Sequence, residues 1–137
     1  MFAPARFTPA LAEDYTSAID GLLPAIELAW SAATPGFRFD DWQVELLRRV
    51  TETTPDGELR WRSCLISMGR QNGKSEIVGA LGLWALMREP GAYSVGVAST
   101  REQAALVYDR LQRVIASNPA LQRRMSKLTE TREIGRA

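Results

Sequence analysis

At 137 residues with 45% hydrophobic content, the chain is long enough for one domain with a real core. Its 17 Lys and Arg against 16 Asp and Glu leave a net charge of +1, so any affinity for nucleic acid has to come from a local basic surface. The absence of histidine and the single cysteine exclude Ser-His and Cys-His catalysis and an internal disulfide, and argue against zinc; with no apolar run of membrane-span length and no secretory pattern in Met1–Ala10, a cytoplasmic setting is expected.

In chain order, Met1–Pro9 carries two prolines and small residues and reads as an extended lead-in, and Glu13–Ile19 has room for a helical turn or two. Pro24–Ala33 is a firmer helix, with Pro24 suited to its first turn and Leu28 and Trp30 among apolar neighbours; Thr34-Pro35-Gly36 breaks it. The helix Phe39–Val50 has Asp40 as N-cap and Gln43 three residues on, a capping box, with Phe39 and Val44 as a hydrophobic staple. Trp42, Leu46, Leu47 and Val50 give it a partly apolar face, and Arg48 and Arg49 suit its C-terminal dipole. Thr54-Pro55-Asp56-Gly57 is a turn. Leu59, Trp61, Ser63 and Leu65 then alternate with Arg60, Arg62 and Cys64, which predicts an extended approach ending in a buried strand, Cys64–Met68, with Cys64 a buried and unreactive thiol.

Residues 63–75, Ser-Cys-Leu-Ile-Ser-Met-Gly-Arg-Gln-Asn-Gly-Lys-Ser, read as strand, polar glycine-containing turn and helix start. That is the local architecture of a phosphate-binding loop. Gly73 lets the backbone approach an anion, Lys74 carries charge toward β- and γ-phosphates, and the Ser75 hydroxyl can ligate magnesium. The helix beginning here directs free N–H groups and its positive dipole end at the same place. The usual pattern, G-x-x-x-x-G-K-[ST], has glycine where Met68 stands; here the glycine comes one residue late, at Gly69. The bland alternative is a chance Gly-Lys-Ser opening a helix. The strand before it and the apolar helix after it favour the phosphate loop.

Ser75–Met87 is apolar around nearly its whole circumference, so it is expected to be covered on more than one side, with Gly79 and Gly82 marking close packing. Glu89-Pro90-Gly91 ends it. Tyr93–Ala98 is a second short strand with Val95 and Val97 on one face, and Ser99–Glu102 is a Ser-x-x-Glu capping box before a helix over Arg101–Ala116. Asn118-Pro119 caps a last short helix, followed by a polar tail, Lys127–Ala137. The βαβα order implies a parallel sheet with right-handed crossovers, and ligands bind beyond the carboxyl ends of such strands, where residues 69–75 lie.

Several residues carry two readings. Arg70, Gln71 and Asn72 are either a solvated loop tip or part of an anion-holding nest. Gln43 is either a cap or a reader of an adenine edge, with Trp42 or Phe39 stacking on the ring. Ser99 and Glu102 are explained by capping, while Thr100 and Arg101 have a further option of facing a nucleic-acid backbone. Arg110, Arg113, Arg123, Arg124 and Lys127 read as solvated helix faces, with a DNA-contacting patch as the alternative.

Asp41-Trp42-Gln43, then residues 69–75, then Ser99-Thr100-Arg101-Glu102-Gln103-Ala104, with Asn118-Pro119 and Leu121 after them, resemble the N-terminal ATPase region of tailed-phage terminase large subunits over about Phe39–Lys127. The arginine-bearing loop with its displaced glycine is characteristic of that family. The resemblance implies an ASCE-like P-loop NTPase fold, a three-layer α/β parallel sheet, with residues 1–36 a lead-in of short helices and 37–137 a partial ATPase domain. It implies ATP and Mg2+ as cofactors. The nucleotide-binding residues would be Gln43, Gly69, Arg70, Gln71, Asn72, Gly73, Lys74 and Ser75. Lys74 and Arg70 act on the phosphates as the catalytic pair, and Ser75 sits on the metal. It implies double-stranded viral DNA, the portal and the small terminase subunit as partners, no membrane, and a homo-oligomeric ring on the portal in the host cytoplasm. Full-length members add a nuclease domain. No apolar strand ending in Asp or Glu follows Ala98, and Glu130 and Glu133 lie in the polar tail. The chain therefore reads as the front portion of a terminase, from a split gene, a truncated prophage remnant or a partial record, with negligible hydrolysis of its own. A helicase-like P-loop fragment and a non-catalytic remnant are the alternatives.

Overall fold

The computed structural model describes residues 15–69, 71 and 73–125. Its elements are β1 (Thr16–Ser17), α1 (Leu23–Ala33), α2 (Asp41–Val50), β2 (Glu52–Thr53), α3 (Lys74–Arg88), α4 (Arg101–Ala116) and α5 (Pro119–Arg124). The lead-in Met1–Pro9 and the tail Lys127–Ala137, with Glu130 and Glu133, lie outside the described residues.

Local chemistry sets where the helices begin. Proline occupies the first turn of α1 and again of α5, where its missing N–H costs nothing. Asp40 holds an extended backbone before α2, and the capping box forms, with the Asp40 N–H donating to Gln43 Oε1 at 2.9 Å. Asn118 caps α5 by accepting from the N–H groups of Ala120 and Leu121 at 3.0 and 3.2 Å. The start of α4 differs from expectation by one residue. Thr100, not Ser99, is the N-cap, and its hydroxyl accepts from the Gln103 N–H at 3.2 Å. Ser99 donates instead to the Gln103 side-chain oxygen at 2.5 Å, so the Ser99–Glu102 box is not made. Thr100 wins because it is the residue with extended backbone angles directly before the first helical turn.

Helices carry the core, and α3 packs against α1, α2 and α4. Ile26, Ala29 and Trp30 of α1, Leu47 of α2, Ile77, Ala80, Leu83 and Trp84 of α3, and Leu111, Val114 and Ile115 of α4 are all buried. Spacing by three and four selects these faces, which is why Leu28, one position off the α1 stripe, is 69% exposed. A Cβ on Gly79 would stand 2.8 Å from the Trp30 ring, so this glycine is what lets α1 and α3 approach. The apolar girth of α3 is only partly covered, since Val78 is half exposed. Because α1 shares this core with α3 and α4, residues 23–33 pack as part of the same body as the later helices.

Two expectations differ from what the described residues show. Glu13–Ile19 is not helical over its described part: Thr16 and Ser17 pair antiparallel with Thr53 and Glu52, and the two threonine hydroxyls meet at 2.6 Å. A β-branched residue with a partner strand on offer prefers the ladder. The turn Thr54–Gly57 forms as expected, with the Gly57 N–H donating to the Thr54 carbonyl at 2.9 Å and Gly57 at φ +83°. It returns Arg60 and Trp61 to the buried Glu52 carboxylate, at 2.6 and 3.3 Å.

The parallel sheet, in turn, is not seen among the described residues. Residues 64–68 and 93–98 carry no strand ladder, and the β1–β2 ribbon is the sheet found among the described residues. Ile66 and Met68 rest on the core, but Leu65 is 96% exposed and Cys64 is exposed as well, not buried. Tyr93, Val95 and Val97 are likewise exposed. Parallel strands hold only when neighbouring strands satisfy their backbone and layers cover both faces. Neither segment has such a neighbour among the described residues, so sequence alternation alone does not make them strands.

Candidate functional site

The residues before α2, the 71–75 turn, the first turn of α3 and the middle of α4 enclose a cleft of about 460 Å³. From the α2 side it is lined by Phe37, Arg38, Asp40 and Gln43. From the turn and α3 come Gln71, Gly73, Lys74, Ser75 and Glu76, and from α4 comes Arg110. Of the described candidates, Gln43, Gln71, Gly73, Lys74 and Ser75 thus meet in one place, whereas Gly69 is exposed and does not line the cleft. Arg70 and Asn72 lie outside the described residues.

The turn closes on itself. The Lys74 ammonium donates to the Met68 carbonyl at 3.0 Å, six residues back in the chain. Gln71 at φ +59° and Gly73 at φ +71° both take the left-handed conformation. That conformation costs a residue with a Cβ about 1–2 kcal/mol, and left-handed residues in turns help form the concave N–H arrays that hold anions. Gly73 is also the N-cap of α3, where helical geometry leaves the first N–H groups without intrahelical partners.

Gln43 settles against that glycine. Its Nε2 lies 2.6 Å from where a Gly73 Cβ would be, and the side chain is buried. Its Oε1 is engaged by the Asp40 N–H, so the capping role is the one seen, and bidentate pairing with a base edge requires that bond to open. Phe39 does not serve as a stacking surface. It is buried in an aromatic cluster, edge-on to Phe37 at 4.9 Å and tilted to Trp30 at 6.1 Å. Phe37 is the ring that reaches the cleft wall, while Trp42 is 40% exposed and does not line it.

Charge in the cleft is mixed. Arg38, Lys74 and Arg110 face Asp40 and Glu76, and Arg110 Nη1 pairs with Glu76 Oε1. Cys64 stands apart; partial desolvation pushes its thiol up from the ordinary value, away from thiolate reactivity. No group of three or more His, Cys, Asp or Glu side chains able to hold a metal occurs among the described residues. No helix among them is long and apolar enough to cross a membrane.

A sequence model of the terminase large subunit ATPase domain matches residues 48–135. The chain belongs to that family. No curated protein and no solved structure matches it. As a terminase ATPase domain it is of the P-loop-like α/β class and an ATP-using one. The match begins at Arg48, so the cleft wall built by Phe37, Arg38, Asp40 and Gln43 precedes the matched segment. Phe37, Arg38 and Glu76 of this cleft escaped the reading of the sequence, and Arg110, read there as a solvated helix face, lines it as well. Arg38 is flanked by the aromatic pair next to the Asp40–Gln43 box, and Glu76 directly follows Ser75, so both had adjacency as a signal. Arg110 had none, because only the packing of α4 on α3 turns it inward.

Proposed function

We propose that this cleft holds ATP and that the chain is the ATP-binding portion of the motor that packages viral DNA into procapsids. The observation that carries this is Lys74: its ammonium is folded back across a closed turn, beside Ser75 and the open N-terminus of α3, and in the same cleft as Gln43. When bound, ATP would bring the triphosphate and Mg2+ would neutralise part of its charge. Lys74 then exchanges the Met68 carbonyl for phosphate oxygens, and the first N–H groups of α3 hold the anion. The Ser75 hydroxyl would hold the metal. Arg70 acts as the phosphate-sensing arginine of the loop, and Gly69, Gln71 and Asn72 belong to the same nucleotide-binding set. Gln43 lies on the base side, with Phe37 the ring nearest to it.

At the level of the fold, residues 64–68 and 93–98, unpaired among the described residues, are the segments that would become strands of a three-layer parallel sheet once further strands pair with them. The exposure of Leu65, Val95 and Val97 supports this, since such apolar surface is ordinarily covered. Double-stranded DNA, the portal and the small subunit are the partners, in a ring assembled on the portal in the host cytoplasm.

The test is titration with a fluorescent ATP analogue. Lys74→Ala should weaken binding at least about tenfold, the scale of one charge-assisted contact. Ser75→Ala should blunt the dependence on magnesium. Absence of binding by the unaltered chain excludes this function and leaves a partner-binding remnant.

A further inference from the structure

Resting on the ATP-binding role of the cleft, we propose that Arg110 is a further phosphate-binding residue, held on Glu76 until a nucleoside triphosphate arrives and then transferred to its terminal phosphate. Arg110 comes from the middle of α4, yet it lines the same cleft as Lys74 and Ser75. Its partner, Glu76, follows Ser75 directly in the first turn of α3. The second carboxylate oxygen, Glu76 Oε2, lies 3.7 Å from where a Gly73 Cβ would stand, so the carboxylate leans back over the last glycine of the turn. The guanidinium is therefore already at the rim of the place where an anion would bind.

Exchange at that rim is physically easy. The side chains of Arg110 and Glu76 are 42% and 24% exposed, so swapping partners uncovers no buried charge. The planar fork of arginine fits carboxylate and phosphate alike. A carboxylate in the first turn of a helix is stabilised by the positive helix end, and phosphate bound there competes for both that end and the guanidinium. The more highly charged phosphate has the advantage. The adjacent Leu111 is buried in the core, so the backbone at Arg110 stays fixed while its side chain moves. Opening the pair links the α3–α4 contact to whether a third phosphate is present.

The experiment is titration of the full chain with ATP and with ADP, for the unaltered protein, Arg110→Ala, Glu76→Gln and the double variant. Arg110→Ala should weaken ATP about tenfold and ADP less than about twofold, because the contact is to the terminal phosphate. Glu76→Gln should tighten ATP by releasing the arginine. The double variant should bind ATP about tenfold more weakly than Glu76→Gln alone. Arg110→Lys, which keeps the charge and the ion pair, should fold and still lose part of the preference for ATP over ADP. Equal losses for ATP and ADP in Arg110→Ala or Arg110→Lys would overturn the proposal. So would a double variant as tight as Glu76→Gln, since Arg110 would then only mask a carboxylate. If the unaltered chain binds neither nucleotide, the ATP site itself is excluded and this role falls with it.

Discussion

Gly73 and Gly79 are six residues apart and are needed for different reasons. Gly73 is left-handed and has the Gln43 amide 2.6 Å from its missing Cβ. Gly73→Ala adds strain of about 1–2 kcal/mol and pushes Gln43 aside, so nucleotide affinity should fall more than thermal stability does. Calorimetric melting beside nucleotide titration checks this. Gly79 has ordinary helical geometry but faces a buried indole at 2.8 Å. Alanine there gains up to about 1 kcal/mol of helix propensity and loses about 1–3 kcal/mol to overpacking, because Trp30 has no room to retreat. Gly79→Ala should therefore lower the melting temperature by several degrees while the folded protein binds nucleotide as before. A raised melting temperature would mean that the helices separate at no cost.

Among the elements, α4 tests how local rules set a boundary. Its first turn is exposed and is held by the Thr100 cap, with Ser99 bonding only to a side chain. Loss of a threonine N-cap costs about 1 kcal/mol, and a bond between two exposed side chains is worth less. Thr100→Ala should accelerate amide exchange over residues 103–106 about fivefold, and Ser99→Ala should do so measurably less. Equal effects would restore the Ser99 cap that the sequence pattern predicts. Arg110, two turns further on, is anchored by core contacts and should be indifferent to both changes.

For the whole molecule, the issue is the apolar surface at residues 64–68 and 93–98. Val97 is 91% exposed, so Val97→Ser should change stability by no more than about 0.5 kcal/mol. It should also reduce self-association, measured by sedimentation velocity. A loss of several kcal/mol would mean that Val97 is buried in a formed sheet. The chain should also hydrolyse ATP negligibly. Of the carboxylates lining its cleft among the described residues, Asp40 heads the α2 capping box and Glu76 is ion-paired, so neither is placed to prepare a water. Steady-state turnover that disappears in Lys74→Ala would overturn this.

The sequence by itself determined what is decided within four or five residues. The Asp40–Gln43 box, the Thr54–Gly57 turn, the Asn118 cap and the glycine-lysine-serine entry to α3 were all legible. A cap or a left-handed glycine depends on neighbours already adjacent in the chain. It also carried the family, through the loop motif and the segments after it. Only the tertiary structure decided that Phe37 and not Phe39 faces the cleft, that Gln43 rests on Gly73, and that Arg110 meets Glu76 across 34 residues. It also decided that the alternating segments at 64–68 and 93–98 carry no ladder. Each of these outcomes depends on which distant surface is present to receive a side chain or a backbone bond, and no local pattern states that.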